Sequence, residues 1–394
     1  MAAPGVLTRY TTAAALARLA DEGSRVALLL HVLAVGRGAA FGGLLIGALM
    51  VPHVLAAPLV GALADAVRRR RLLYVGGLLG FAAGFTGAAL LAAPAPAAAF
   101  GAAVLAGCCA PLLIGGLSSL LGELAGDRLP RAFGLDATSY SLAGIVGPAL
   151  AALVAGWSGA LWAVAVLAVS CALAAAIVVS LPVPDRTRPS TPRGRGRAIK
   201  ALWREPPLTA VTAASTVSQF GLGALPIVAA LLATGLHDPA MTGLTLSAFA
   251  VGALVSSLAY ARLPLRRVRP ETVMLAGLAV SSVPFALLTA VEGRWSLLAL
   301  FAVAGLIDGP TFASLLVVRN REAPPEARTQ VFTIGAGLKV TAAAAGVALA
   351  GLATGHGTTA LLLAVAASQL LAGGLGAALL RRRRPAPRVS PALP

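Results

Sequence analysis

The chain is short of charge, aromatic rings, cysteine and lysine. Charged residues make up 11% of its 394 positions, against about 25% in ordinary soluble domains. That shortage excludes intrinsic disorder, which needs low hydropathy and high charge. It also excludes a soluble multidomain enzyme, whose surface needs polar cover. Aromatic residues reach only 5%, so a rich aromatic cage for a drug-like ligand is not apparent. Cys108, Cys109 and Cys171 fall inside apolar runs. Neither a disulfide framework nor metal-ligand spacing follows from them, and they read as small packing residues. There is no Gly-rich loop ending in Lys-Ser/Thr, so transport driven by nucleotide hydrolysis within this chain is not expected. No nucleophile–base pair or metal constellation points to an enzyme, and no cofactor is implied. No short basic segment precedes a clean apolar core, so a cleavable signal peptide is not expected.

What fills the chain instead is apolar sequence, 58% of it. Runs of about 18 or more apolar residues are long enough to cross the ~30 Å hydrocarbon core as helices. In lipid the backbone has no other hydrogen-bond partner, so helix is the form they must take. Twelve spans are predicted: 12–34, 41–64, 72–91, 97–121, 133–155, 160–181, 208–232, 241–260, 273–290, 296–318, 331–353 and 358–380. The first is interrupted by Arg18, Asp21, Glu22 and Arg25.

The formal charge is +17, which in a soluble domain would suggest nucleic acid. Its placement argues otherwise. All Lys and Arg except Arg25, Arg37, Arg294 and Lys339 fall in the N-terminal part, in alternate loops or in the tail. By the positive-inside rule, both termini are cytoplasmic and nucleic acid is not a partner. The longest polar stretch, 182–207, is rich in Arg and Pro and falls after six spans and before six. It divides the chain into a bundle at 1–181, a cytoplasmic linker at 182–207, a second bundle at 208–380 and a basic cytoplasmic tail at 381–394. The linker's basic residues suit anionic lipid headgroups.

The halves echo each other. The second span of each carries a glycine ahead of a basic loop, Gly61 and Gly252. The fifth span of each is rich in small residues: Ala143, Gly144, Gly147 and Ala151, then Ala342, Ala343, Gly346 and Ala348. Such repeats suit two bundles that rock about a central site. Gly76, Gly80 and Gly84, four apart in the third span, form a close-packing face.

The segment from Gly61 through Asp65 to Arg69 and Arg70 resembles the loop motif of the major facilitator superfamily, Gly-x-x-x-Asp-(Arg/Lys)-x-Gly-(Arg/Lys)-(Arg/Lys). Ala66 and Arg68 depart from it. The resemblance covers the whole chain. It implies an all-α integral membrane protein, with twelve transmembrane helices in two six-helix pseudo-symmetric bundles. It also implies that Asp65 and Arg69 contact the other half and help hold the outward-open state, the physical basis being an acid near a helix N-terminus or an Arg, and a Gly that allows close helix approach. In the second half Ser256 stands where the acid would be, so the halves are not expected to gate alike. The fifth span resembles the family's antiporter motif at Gly147 and Pro148, where a kink and small neighbours would seal an interface that favours export.

Charges within spans are costly and should face a cavity or a partner. Asp308 and Lys339 are expected at similar depth on consecutive helices, about 15 and 12 Å from the cytoplasmic end at the helical rise. They are expected to form a cavity-lining ion pair that either switches or statically ties the two helices. Asp21 and Glu22 can both reach Arg25 along one helix face, leaving one net negative charge. By the resemblance, such an acid in the first helix couples protons or recognises cations. His31 and His53 read as packed, hydrogen-bonded residues. Tyr140, Ser141, Gln219, Phe220 and Gln369 are candidate cavity residues. The expected function is secondary active, proton-coupled efflux of small amphipathic molecules by a monomer in the plasma (inner) membrane. An importer of a sugar or amino acid is the alternative, and a non-transporting scaffold or sensor is a third.

Overall fold

A computed structural model describes residues 5–184, 197–238, 240–263, 265 and 267–382. The side chains of His53 and Ala348 lie outside the described residues. So do linker positions 185–196 and the tail from 383. Every regular element among the described residues is helical.

The helices run between the charged and proline-bearing breaks in the apolar sequence. The first half holds α1 (Val6–Ala34), α2 (Gly38–Ala66), α3 (Arg70–Leu91), α4 (Pro96–Pro111), α5 (Leu117–Leu124), α6 (Leu129–Ser158) and α7 (Ala160–Val179). A short helix, α8 (Arg197–Arg204), precedes the second half. That half holds α9 (Pro206–Leu222), α10 (Leu225–Gly235), α11 (Ala240–Arg262), α12 (Pro270–Leu287), α13 (Arg294–Glu322), α14 (Arg328–Leu352) and α15 (Thr358–Arg382). Eleven stretches are long and apolar enough to cross a membrane. The remaining one, α1, spans 29 residues but carries Arg9, Arg18, Asp21, Glu22 and Arg25. It completes twelve because two of the charges in its middle, Arg18 and Asp21, are buried in protein.

Two predicted spans are broken. The fourth is α4 and α5 joined by a π-helical turn, Leu112–Gly116. Pro111 removes a backbone donor there, and Gly115 lies so close to α14 that a Cβ would stand 2.7 Å from the Phe332 carbonyl oxygen. The seventh is α9 and α10, separated at Gly223–Ala224, with Pro226 in the first turn of α10. The tenth helix is longer than expected. It continues past 318 to Glu322, because Arg319 is buried in protein rather than released to a loop.

Small residues set the packing. A Cβ on Gly147 of α6 would be 2.9 Å from both Gly23 N and Leu19 O of α1. In the second half, Gly346 of α14 lies against the backbone of Phe220 on α9. The fifth long helix of each half thus presses on the first at a glycine. The first half surrounds one core that includes Phe81, Phe85 and Leu167. The second surrounds cores containing Phe285 and Phe301 and Met274 and Leu315. Trp157, Trp162, Trp203 and Trp295 are all exposed. Trp157, Trp162 and Trp295 sit at helix ends opposite the arginine-rich loops, where indole rings favour a membrane interface.

Candidate functional site

The halves meet at the ends of the helices nearest the arginine-rich loops. Asp65, at the end of α2, accepts hydrogen bonds from Thr329 N (3.1 Å) and Gln330 N (2.8 Å). It caps the first turn of α14, whose free N–H groups and dipole favour an anion. Gly61, one turn earlier, permits this approach, since a Cβ there would collide with Thr333 and the Gln330 backbone. Gln330 Nε2 donates to Pro58 O (3.1 Å) and Thr333 Oγ1 to Ala57 O (2.8 Å). Ser119 and Thr329 share a hydroxyl bond at 3.0 Å, and Phe133 stacks on Phe332.

The motif's cations divide. Arg70 is buried and bonds both Glu123 oxygens at 2.7 Å. Glu123 in turn stands 4.0 Å from Arg328 at the start of α14. Arg69 is exposed and forms no ion pair with a described residue, so the clamp between halves runs through Arg70. On the pseudo-symmetric side, Gly134 of α6 lies against Ala261 of α11. There Thr138 and Ser257 exchange a hydroxyl bond at 3.0 Å. Ser256 bonds within its own half, to Ala253 O and Gly305 O. Among the described residues, an acid of the first half, Asp65, caps a helix end of the other, and no acid of the second half does so in return.

Above this closed end lies a cavity of about 400 Å³, within the range of small-molecule sites. Asp21, Glu22 and Arg25 of α1 face Arg319 and Lys339 of α13 and α14. Arg25 holds Asp21 at 3.3 Å and Glu22 at 3.1 Å. The walls are otherwise largely apolar, with Met50, Ile114, Leu316, Phe332 and Val347. Tyr140 and Gln219 line it too, whereas Gln369 is tied to Ser218 at 2.7 Å in an adjoining hollow. Ser141 bonds back to Ala137 O, and Phe220 is exposed.

Asp308 is not in this cavity. It lines the small hollow that Ser281, Thr311 and Gln369 share. Asp308 and Lys339 attract each other electrostatically but are not in ion-pair contact, so the expected direct pair is not seen among the described residues. Similar depth on neighbouring helices does not fix facing: Lys339 Nζ turns instead over the ring of Phe312, 4.0 Å from its centroid. His31 is buried and bonds Ala89 O at 3.1 Å, a packing role.

The sequence reading missed a buried cluster beneath the cavity. Arg18 and Asp136 pair at 2.8 Å with both side chains almost fully enclosed. Tyr10 Oη (2.7 Å) and Ser118 Oγ (2.6 Å) donate to the same carboxylate. The ring of Tyr140 covers the guanidinium at 3.6 Å. The available signal was Asp136 inside an otherwise apolar span, two positions from Thr138 and three from Ser139.

Comparison with known proteins agrees with this architecture. A family description, Major Facilitator Superfamily, matches residues 10–225 and 211–394. An uncharacterized MFS-type transporter, y4rN, of Sinorhizobium fredii (strain NBRC 101917 / NGR234) is 28% identical over 379 residues, spanning 94% of this chain and 93% of the relative. The human organic anion transporter MFSD10 (TETRAN) superposes with a TM-score of 0.77 at 17% identity, over 94% of this chain and 98% of that one. A bacterial homologue of the iron transporter ferroportin, in its outward-facing state, gives 0.78 at 15% identity, over 96% and 100%. At such identities the structures share the fold alone. With the family match extending across both halves, the chain belongs to the Major Facilitator Superfamily and is a multi-pass membrane transporter.

Proposed function

We propose that this transporter exports small amphipathic molecules across the plasma (inner) membrane in exchange for protons, as a monomer with both termini cytoplasmic. The units that rock are 1–181 and 208–380, joined by a cytoplasmic linker at 182–207 and followed by a basic tail at 381–394. The observation that carries the reading is the cavity between the halves, closed at the arginine-rich end by Asp65 on the N-terminus of α14. With that face assigned to the cytoplasm, we read this arrangement as closed on the cytoplasmic side. Breaking the Asp65 cap and the Arg70–Glu123–Arg328 chain would open the cytoplasmic side.

Asp21 and Glu22 share one Arg25. Together they supply an acid that can take up a proton from outside and release it within, in the half of the cavity opposite Lys339. Gly147 holds α6 against α1 beside Glu22, with Pro148 next in the helix, so movement at the acids is passed to α6. Asp308, outside the cavity, is a secondary candidate for coupling.

The test is flux in proteoliposomes under an imposed pH gradient. Wild type should accumulate an amphipathic probe against its gradient. Asp21→Asn/Glu22→Gln should lose the pH-driven part by tenfold or more while keeping gradient-free exchange. Undiminished pH-driven flux in that variant removes these acids from the coupling site.

A further inference from the structure

Arg319 and Lys339 stand together on one wall of the cavity, and neither is in ion-pair contact with an acid among the described residues; Asp308 acts on Lys339 only across a longer distance. Arg319 is 2% exposed. Its Nη2 reaches only the Ser215 hydroxyl, at 3.5 Å, and its Nε has no partner among the described residues. Elsewhere in this chain a buried arginine meets a carboxylate, as Arg18 does with Asp136 and Arg70 with Glu123. A buried cation left without one is costly, because the desolvation is uncompensated. The guanidinium of Arg319 lies directly on Gly335, where any Cβ would strike it. Gly335 and Lys339 are four apart on α14, so they share a face and lie about 6 Å apart along the axis. Both cations therefore address the same part of the cavity.

The opposite wall differs. Arg25 already engages both acids there, so a cationic ligand would find no free carboxylate pair and would meet three basic groups. Between the walls, Phe312, Leu316 and Phe332 offer an apolar surface.

We infer that the cavity takes an amphipathic organic anion, its carboxylate held between Lys339 and Arg319 and its apolar body along Phe312, Leu316 and Phe332. This rests on the transport reading above and gives it a substrate class. It is carried by these side chains, not by the likeness of folds. Gly335 becomes a positioning residue, since it makes room for the guanidinium.

The experiment uses full-length protein in nanodiscs of phosphatidylcholine, with no gradient, and titrates 2-naphthoate, its methyl ester and 2-naphthylmethylamine. Wild type should bind naphthoate saturably and at least tenfold more tightly than ester or amine. Lys339→Gln should weaken naphthoate by roughly tenfold or more, the loss of a charged hydrogen bond, without changing the ester. Lys339→Arg should keep most of the preference for the anion. The wild-type comparison stands even where a variant fails to fold. No saturable naphthoate binding, a preference for the amine, or naphthoate affinity unchanged in Lys339→Gln would each overturn the inference. Repeating the titration with phosphatidylglycerol in the disc separates two sources of anion. Unchanged affinity assigns the site to a soluble carboxylate, whereas loss of naphthoate binding assigns it to lipid, against the proposal. Naphthoate binding without pH-driven flux of any probe defeats only the transport reading. Flux of other probes without naphthoate binding defeats only this one.

Discussion

The Arg18–Asp136 pair shows what a single buried charge requires in this protein. Two tyrosines and two serines surround it: Tyr10 and Ser118 donate to the carboxylate, Ser139 accepts from the guanidinium, and Tyr140 covers the cation. Removing one partner strands the other in a low-dielectric interior, at a cost of about 3–5 kcal/mol. Asp136→Asn is therefore expected to lower Tm sharply, whereas Arg18→Met/Asp136→Leu should recover a large part of the loss. Thermal unfolding of the single and double variants in detergent checks this, and a double variant no better than Asp136→Asn would show that the pair is not the source of the stability. The same scale marks the limit of sequence reading. Asp21, Glu22 and Arg25 were legible because helical spacing alone brings them together. Lys339 was legible as a cavity residue, since a charge in a span needs a polar surrounding. Its partner was not, because which way two neighbouring helices face each other depends on packing that spacing does not encode. Arg319 was hidden for a related reason: an arginine next to a loop reads as a topology signal until the helix is seen to continue beyond it.

At the scale of elements, glycines decide how near two helices come. Gly147 meets Gly23 and Leu19 on α1, so Gly147→Val has no space to fill. Overpacking of this kind costs about 1–3 kcal/mol. The variant should unfold several degrees lower than wild type, and Gly144→Val, where a Cβ meets open space, should not. Equal Tm values for the two would contradict the close contact. The helices themselves were largely legible, because an apolar run of bilayer length has one stable form. The π-helical turn and the break before α10 were not. Proline and glycine were visible in both places, but a kink, a wider turn and a full break satisfy the same residues until neighbours choose. The motif at Gly61 and Asp65 was legible as a place where the halves meet, and Asp65 caps the first turn of α14. The choice of Arg70 over Arg69 as the buried cation follows from where α3 begins, which the sequence leaves open.

For the whole molecule, the contacts between halves are unequal along the membrane normal. The described hydrogen bonds that cross between halves lie toward the arginine-rich end, and the cavity lies beyond them. On the proposed function, a second state is reached when those bonds open and the opposite ends close. Asp65 is the natural lever, since charge-assisted hydrogen bonds are each worth about 1.5–3 kcal/mol and a change of that size redistributes two states. The measurement that tests alternating access most directly is a pair of spin-label distance distributions in a background lacking Cys108, Cys109 and Cys171. One pair joins the exposed Leu63 and Leu263 at the arginine-rich end, and the other joins the exposed Leu33 and Leu352 at the far end. The account predicts that wild type is mostly short at the first pair and long at the second. It predicts further that Asp65→Asn raises the opposite population, long at the first and short at the second. Distances at the two ends that do not change in opposite senses, or an Asp65→Asn distribution identical to wild type, would contradict it.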